Sequence, residues 1–289
     1  LRGTPGNLGI VNGQIALNSP CQIIGDANWL IASGGNTWVT ETRMSQGVGG
    51  FILGTDNALP VAAKVKWDSD SSGVLELAGH NQTVAGLECP TTTVTGPSVA
   101  NNSPTSDALL RINGGGYTFI GSLVDSGARK LSVELLSGTQ TLAGYSAYSG
   151  STTVSAGTLR INGISGGSGP VLVKQTGTLA GYGTIYGPVT VQNGGSLSPG
   201  DAGLGYLTLA GNLTLGAAES DQQTIHFTPG SPVNVSGALE RHGTITVNVI
   251  TSGTVQPGTY PILFYAGPMI SSGFVLGQLP PRMNEGIQY

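Results

Sequence analysis

The chain has 289 residues, a formal net charge of −4 and only 9% charged residues, and 48 of its residues are glycine. No basic run occurs, which excludes a phosphate-tracking face for nucleic acid. No apolar stretch approaches the roughly 18 residues of a membrane helix, so no membrane span is expected in this chain.

Hydrophobic residues make up 38% of the chain. They are patterned, which separates it from disordered chains of low charge and low hydropathy. Thr, Val, Ser and Gly dominate, a composition of strands and tight turns. Over positions 1–133 the strand-like pieces are GQIALN, TWVTETR, AAKVKW, GVLELAG, ALLRING and YTFIGSLV. They recur at a loose step with long turns. The segment CPTTTVTGPSVANNSPTSD, from Cys89, carries three prolines and is expected to be an exposed excursion. Residues 1–133 therefore form a less regular amino-terminal solenoid part, continuous with the rest of the chain. An amino-terminal cap of different fold is the alternative.

From residue 134 to 289 the pattern is regular. Val154, Val173, Val191 and Leu209 recur at successive steps of 19, 18 and 18, and Leu159, Leu179, Leu197 and Leu215 at steps of 20, 18 and 18. Phe227 and Val233, then Val249 and Val255, extend both series. A repeat of this length, with two short apolar strands around a glycine turn, marks a solenoid. The fold class expected is all-β, a parallel β-helix with coils of about 18–22 residues. The eight anchors should be buried in two stacked ladders. Gly157, Gly177, Gly195 and Gly253 each precede the second anchor by two residues, where a positive φ is expected. In LTLAGNLTL the leucines should face inward and Thr208 and Thr214 outward.

SGSTTVSAGTLRING, LAGYGTIYGPVTVQNGGSLSPG and GYLTLAGNLTL resemble the autotransporter-associated β-strand repeat. LSPG, at Leu197 to Gly200, is the most specific part. LGTDNALP, GVLELAGHNQTVAGL, GTYPILFYAG and FVLGQLPP resemble regions flanking such repeats, so the resemblance covers most of the chain from about Leu53. It implies a right-handed parallel β-helix of an autotransporter passenger, exported and displayed at a bacterial surface. It brings no catalytic residues. The chain departs from the family in lacking a run of long alternating strands after Val275, and in its cysteine pair. It begins at Leu1 without Met or signal peptide, as a processed chain or a fragment would.

The chemistry-bearing residues are sparse. Asp68 and Asp70, in WDSDSSG, read as a solvated turn; a calcium loop starting there would need a Glu where Gly79 stands. His80, His226 and His242 have no His or Cys at metal spacing. Cys21 and Cys89 are either two buried thiols or one disulfide. Tyr182 and Tyr186 flank GTI and could share an outward side with Tyr206, as a strip for sugars to stack on, or they pack at turn edges. The sequons at Asn81 and Asn212 are expected by chance. No catalytic, cofactor-binding or metal residue is assigned.

A non-enzymatic extracellular structural or adhesive β-solenoid is therefore expected at a bacterial surface. Its partners would be itself, through head-to-tail assembly into filaments, or surface glycans on a host or neighbouring cell. The alternative is a carbohydrate-active β-helix enzyme, a polysaccharide lyase or hydrolase. In an enzyme three or more charged groups should meet in a groove, whereas a rod should scatter them. A phage or virus fibre segment is a third reading.

Overall fold

The computed structural model describes residues 1, 6–91, 96–200, 205–251, 256–267 and 272–280. Among these residues there are strands, turns and bends and no helix, and the strands stack in parallel as a β-solenoid. The chain divides into two compact units, Leu1–Ser151 and Thr152–Tyr289. The change of regularity expected near residue 133 falls inside the first.

In the first unit one face stacks strands Leu8–Val11, Asn28–Ile31, Phe51–Leu53, Val74–Glu76, Ser98–Asn101 and Ser122–Asp125. A second face stacks Cys21–Ile24, Glu41–Ser45, Lys64–Trp67 and Leu87–Glu88. A third stacks Gln82–Val84, Ala108–Asn113 and Leu131–Ser137. Leu8 pairs with Asn28, Trp29 with Phe51, Phe51 with Leu75, and Ser98 with Ser122, so the coils of this unit lengthen from 20 to 24 residues. The proline-rich segment is not simply an excursion. Ser98–Asn101 is a strand of the first face with Val99 and Ala100 buried. Alternation puts Val99 beside Leu75 and Leu123 in the core, and that burial outweighs the turn-forming prolines on either side.

In the second unit Thr152–Ile161 pairs with Val171–Gly181 along nearly its whole length. The long strand Val171–Gly181 then serves two successors, Val189–Val191 and Ser196–Pro199. Another face stacks Ile164–Ser165, Thr184–Ile185, Leu207–Leu209, Val233–Val235 and Leu263–Tyr265. The anchors Val154, Leu159, Val173, Leu179, Val191, Leu197, Leu209 and Leu215 are all buried. Thr208 and Thr214 face outward, as the alternation requires.

The two ladders run as expected through Val191 and Leu197, then change partners. Val191 pairs with Leu215 and Leu197 with Ile225, both beyond the regular step, while Leu209 pairs with Ile185 and Val235. Sequence spacing alone placed Leu209 after Val191, because the residues following Leu197 lengthen the coil and carry Leu209 onto the neighbouring face. Val255 and Gly253 lie outside the described residues.

Two kinds of glycine shape the turns. Gly157 has a φ of 78°, the left-handed region where glycine is favoured. Gly177 and Gly195 do not have a positive φ. A Cβ on Gly177 would overlap the Val154 carbonyl oxygen of the preceding coil, and one on Gly195 would lie 2.9 Å from Val191 Cγ1. Their role is close approach and not backbone freedom.

Buried amides fasten coil to coil at the corners. Gln82 Nε2 donates to the Leu59 carbonyl at 3.0 Å and its Oε1 accepts from the Leu59 N–H at 3.0 Å. Gln140 makes the same pair with Leu87, at 3.0 and 2.9 Å. Asn36 accepts from Ile15 N–H and donates to the Ala58 carbonyl, reaching the coil on each side. A turn leaves backbone groups without ladder partners, and burying them unpaired costs about 1–3 kcal/mol each. These side chains remove that cost.

Leu197→Ala should destabilise the second unit by about 2–5 kcal/mol, the range for emptying a buried leucine site. Thr190→Val, on the outward row, should stay within about 0.5 kcal/mol. Guanidinium denaturation followed by circular dichroism distinguishes them, and equal effects would contradict the assigned inward and outward rows.

Candidate functional site

The second face of the first unit gathers charge on its outward positions. Glu41 lies beside Lys64, Arg43 beside Lys66, and Lys66 beside Glu88. The Arg43 guanidinium grips Asp68, with Nε at 3.0 and 2.9 Å from its two oxygens and Nη2 at 2.8 Å from Oδ2. Ser45 Oγ also donates to Asp68. Lys64 Nζ contacts Glu88, lies 3.6 Å from Glu41 and sits 5.3 Å from the Tyr117 ring centroid. Asp68 is thus engaged by Arg43 and Ser45 and is not the free turn carboxylate expected from sequence.

Scattered charges were expected of a rod, and here six meet on one face. Their arrangement is self-neutralising: Arg43, Lys64 and Lys66 stand against Glu41, Asp68 and Glu88. The Asp68 hydrogen bond holds Arg43 more firmly protonated than usual. Burial pulls Lys64 down, but its bond to Glu88 and the Glu41 charge more than offset this, so it too stays cationic. Ion pairs of this kind lock a sheet surface, with little gain where exposed to water. A sequence signal for them existed: charges at alternate positions in ETR, KVKWD and LE, spaced by one coil. It was hidden by reading Asp68 with Asp70.

The remaining titratable groups stand apart. Among the described residues no three of His, Cys, Asp and Glu are grouped to hold a metal ion. His80 lies 3.5 Å from Asp56, and His242 contacts Glu240 at 3.0 Å and Glu219 at 3.7 Å. His226, beside Asn248 on the outward row, is half-buried, and burial lowers its pKa. Burial likewise raises the Glu76 carboxyl, although it accepts from the Asn102 and Ala78 N–H groups. Asn81 and Asn212 accept from the N–H groups of Leu109 and Ala238, so both sequon amides are structural fasteners.

Cys21 and Cys89 are both buried and free. Cys21 is level with Thr42, Thr42 with Val65, and Val65 with Leu87, two residues before Cys89. Three strand steps separate them by about 14 Å, beyond the roughly 7 Å limit on Cα separation for a disulfide. Burial pushes the Cys89 thiol up to about 11 and raises Cys21 as well.

The second unit carries a different surface. Around Thr184–Ile185 burial alternates strictly, so Tyr182, Thr184 and Tyr186 all point outward. Thr184 pairs with Thr208 and Ile185 with Leu209, and Tyr182 and Tyr206 lie just before these two strands. The Tyr182 side chain covers Gly205, where a Cβ would come within 2.5 Å of it. Tyr182, Tyr186 and Tyr206 are 46%, 54% and 53% exposed. Tyr182 and Tyr186 share an outward side, one of the two readings left open from the sequence. Ile164 and Phe264 extend the same outward row through Thr184, Thr208 and Asn234. In the first unit Tyr145 is exposed and Tyr148 buried.

Comparison with known proteins bears out the resemblance seen in the sequence. Residues 137–161 match the family model described as Passenger-associated-transport-repeat. The chain is 32% identical over 153 residues to the Adhesin BmaC autotransporter of Brucella suis biovar 1 (strain 1330). That similarity covers 50% of this chain and 4% of the relative, so the matched stretch is a small part of a much longer protein. LSPG lies outside the stretch matched by the family model. No solved structure matches. Among the described residues no helix is long and apolar enough to cross a membrane.

Two outcomes are expected from the burial of these groups. Neither cysteine should react with a thiol reagent such as dithionitrobenzoate at pH 7 in the native chain, and both should react in guanidinium; fast native labelling of either would contradict its placement. For His226, a folded pKa below its ordinary 6.5 means that the unfolded chain binds more protons between the two values. The stability it contributes is present above about 6.5 and is lost as pH falls through the folded value. His226→Gln should therefore flatten the stability profile below pH 6.5, measured by denaturation across pH. An unchanged slope would show that His226 titrates alike in both states.

Proposed function

We propose that this chain is an exported stretch of passenger β-solenoid that serves adhesion at a cell surface and carries out no catalysis. The observation that carries this reading is the similarity to an autotransporter adhesin across half of the chain. The geometry supports it. The inward rows hold the coils together, leaving outward rows free to present side chains to another surface. The charged groups most suggestive of an enzyme are engaged with one another through Arg43–Asp68 and Lys64–Glu88. The partners are glycans or proteins of a host or neighbouring cell, and the location is the outer surface or the medium around it.

Head-to-tail assembly is a finer version of the same reading. Among the described residues the strand Leu8–Val11 pairs only with Asn28–Ile31, and Leu8 and Ile10 are exposed. An open strand edge is a template for further pairing. A coil of another copy, or of the same longer protein, fits there. Electron microscopy of the purified chain separates these: unbranched fibres support assembly between copies, and single particles at high concentration refute it.

The adhesive reading is tested with beads coated with the purified chain and presented to bacterial and animal cells. Saturable attachment, blocked by excess soluble chain, is the expected result. Attachment no greater than that of beads coated with an unrelated β-solenoid would overturn it.

A further inference from the structure

The geometry points to a binding site for an uncharged polysaccharide on the face bearing Tyr182, Tyr186 and Tyr206. This inference rests on the adhesive reading and names the ligand class and the residues that meet it.

Exposed apolar side chains are concentrated here. Among the described residues from 152 onward, the large exposed hydrophobics are Ile164, Tyr182, Tyr186, Tyr206, Ile250, Phe264 and Val275. All but Ile250 and Val275 belong to this one sheet or its immediate ends. The fold does not require them. The equivalent outward places on neighbouring strands are filled by Thr184, Thr208, Asn234, Ala210 and Ser236, which satisfy the strand just as well. An exposed aromatic cluster of this kind marks an interaction surface.

The chemistry of the face selects its occupant. Its five strand segments from residue 152 onward read NGISG, YGTIY, YLTLA, PVNVS and ILFYA, without a single ionisable acid or base of the Asp, Glu, His, Lys or Arg type. A carboxylated or sulfated glycan, or a nucleic acid, would find no cation here, in a chain whose net charge is −4. An uncharged ligand has no charge to desolvate on such a face. A pyranose ring presents C–H groups on its flat sides and hydroxyls around its rim. Tyr182 and Tyr206 lead into two adjacent paired strands, and Tyr186 follows the first of them, about 13 Å from Tyr182 along the extended chain. Their rings offer the flat apolar surface. Their hydroxyls, with those of Thr184 and Thr208 between them, offer donors and acceptors for the rim. A chain of sugars laid along the strand Thr184–Ile185 would meet Tyr182, Thr184 and Tyr186 in turn, aromatic, hydroxyl and aromatic.

The test uses the full chain in native gels cast with neutral polysaccharides (mannan, mixed-linkage glucan, xylan, starch) and with acidic ones (polygalacturonate, heparin). Retardation by at least one neutral polysaccharide is expected, and by neither acidic one. Tyr182→Ser with Tyr206→Ser should weaken binding at least about tenfold, the loss expected when an aromatic anchor is truncated. The pair Tyr182→Phe with Tyr206→Phe should keep most of it, and Lys66→Ala, on the charged face, should keep all of it. Should the double serine variant melt early, Tyr186→Ser alone gives the same reading, with a smaller loss. No retardation by any neutral polysaccharide, retardation by acidic ones alone, or binding that survives the serine substitutions overturns the proposal. Beads coated with the double variant separate the two readings. Attachment to cells that persists without the tyrosines sinks the glycan face and leaves adhesion standing. Polysaccharide binding without attachment to any cell does the reverse.

Discussion

Everything in this structure depends on backbone hydrogen bonding between parallel strands about 4.8 Å apart. That spacing forces each inward side chain to lie on the matching side chain of the next coil. Leu179 lies on Leu197 and Leu197 on Ile225 because the strands permit no other placement. The core is then a set of ladders, of like on like in the aliphatic rows of the second unit and of mixed side chains such as Cys21, Thr42, Val65 and Leu87 in the first. Glycine appears where a second backbone must come as close as Val154 comes to Gly177. At the corners, where ladders stop, the amides of Gln82, Gln140 and Asn36 take over the hydrogen bonding. The outward rows are left free of these demands, and there the two units differ, one interlocked by ion pairs and the other covered with tyrosine and threonine.

Much of the fold was legible because a solenoid writes its period into the sequence. The inward role of Val154, Val173, Leu179 and Leu197 could be read from spacing, and the outward role of Thr208 and Thr214 from alternation. Partner choice was less legible. Spacing cannot distinguish the next coil on the same face from the next face on a longer coil, and this is how Leu209 was placed after Val191. The strand Ser98–Asn101 was hidden because local turn chemistry in a proline-rich stretch speaks louder than a short alternation. Its burial comes from contacts with Leu75 and Leu123, far away in sequence.

The surface was legible in part. The tyrosines could be placed on one side because Tyr182 and Tyr186 are separated by an odd number of residues within one extended segment. That Tyr182 and Tyr206 lead into neighbouring strands required the pairing, which depends on the length of the intervening coil. The ion pairs needed more still, since Arg43 and Asp68 are on different coils and each looks ordinary in its own segment. Asn81 and Asn212 show the same difficulty. An asparagine in a turn can serve the turn, carry a sugar or fasten a neighbouring coil, and only the position of the next N–H decides.

The stacked coils also dictate how each unit meets force. A load applied along the stacking direction passes through successive coil interfaces in series, and within each interface the strand pairings of the different faces share it in parallel, so the narrowest pairing yields first on its own face. In the second unit the strand Thr184–Ile185 meets each neighbour over only two residues, against eight paired positions between Thr152–Ile161 and Val171–Gly181. The tyrosines flank that short strand. A surface held there would be pulled at the most yielding rung of its face, while the long strands of the same coil keep the chain from unravelling.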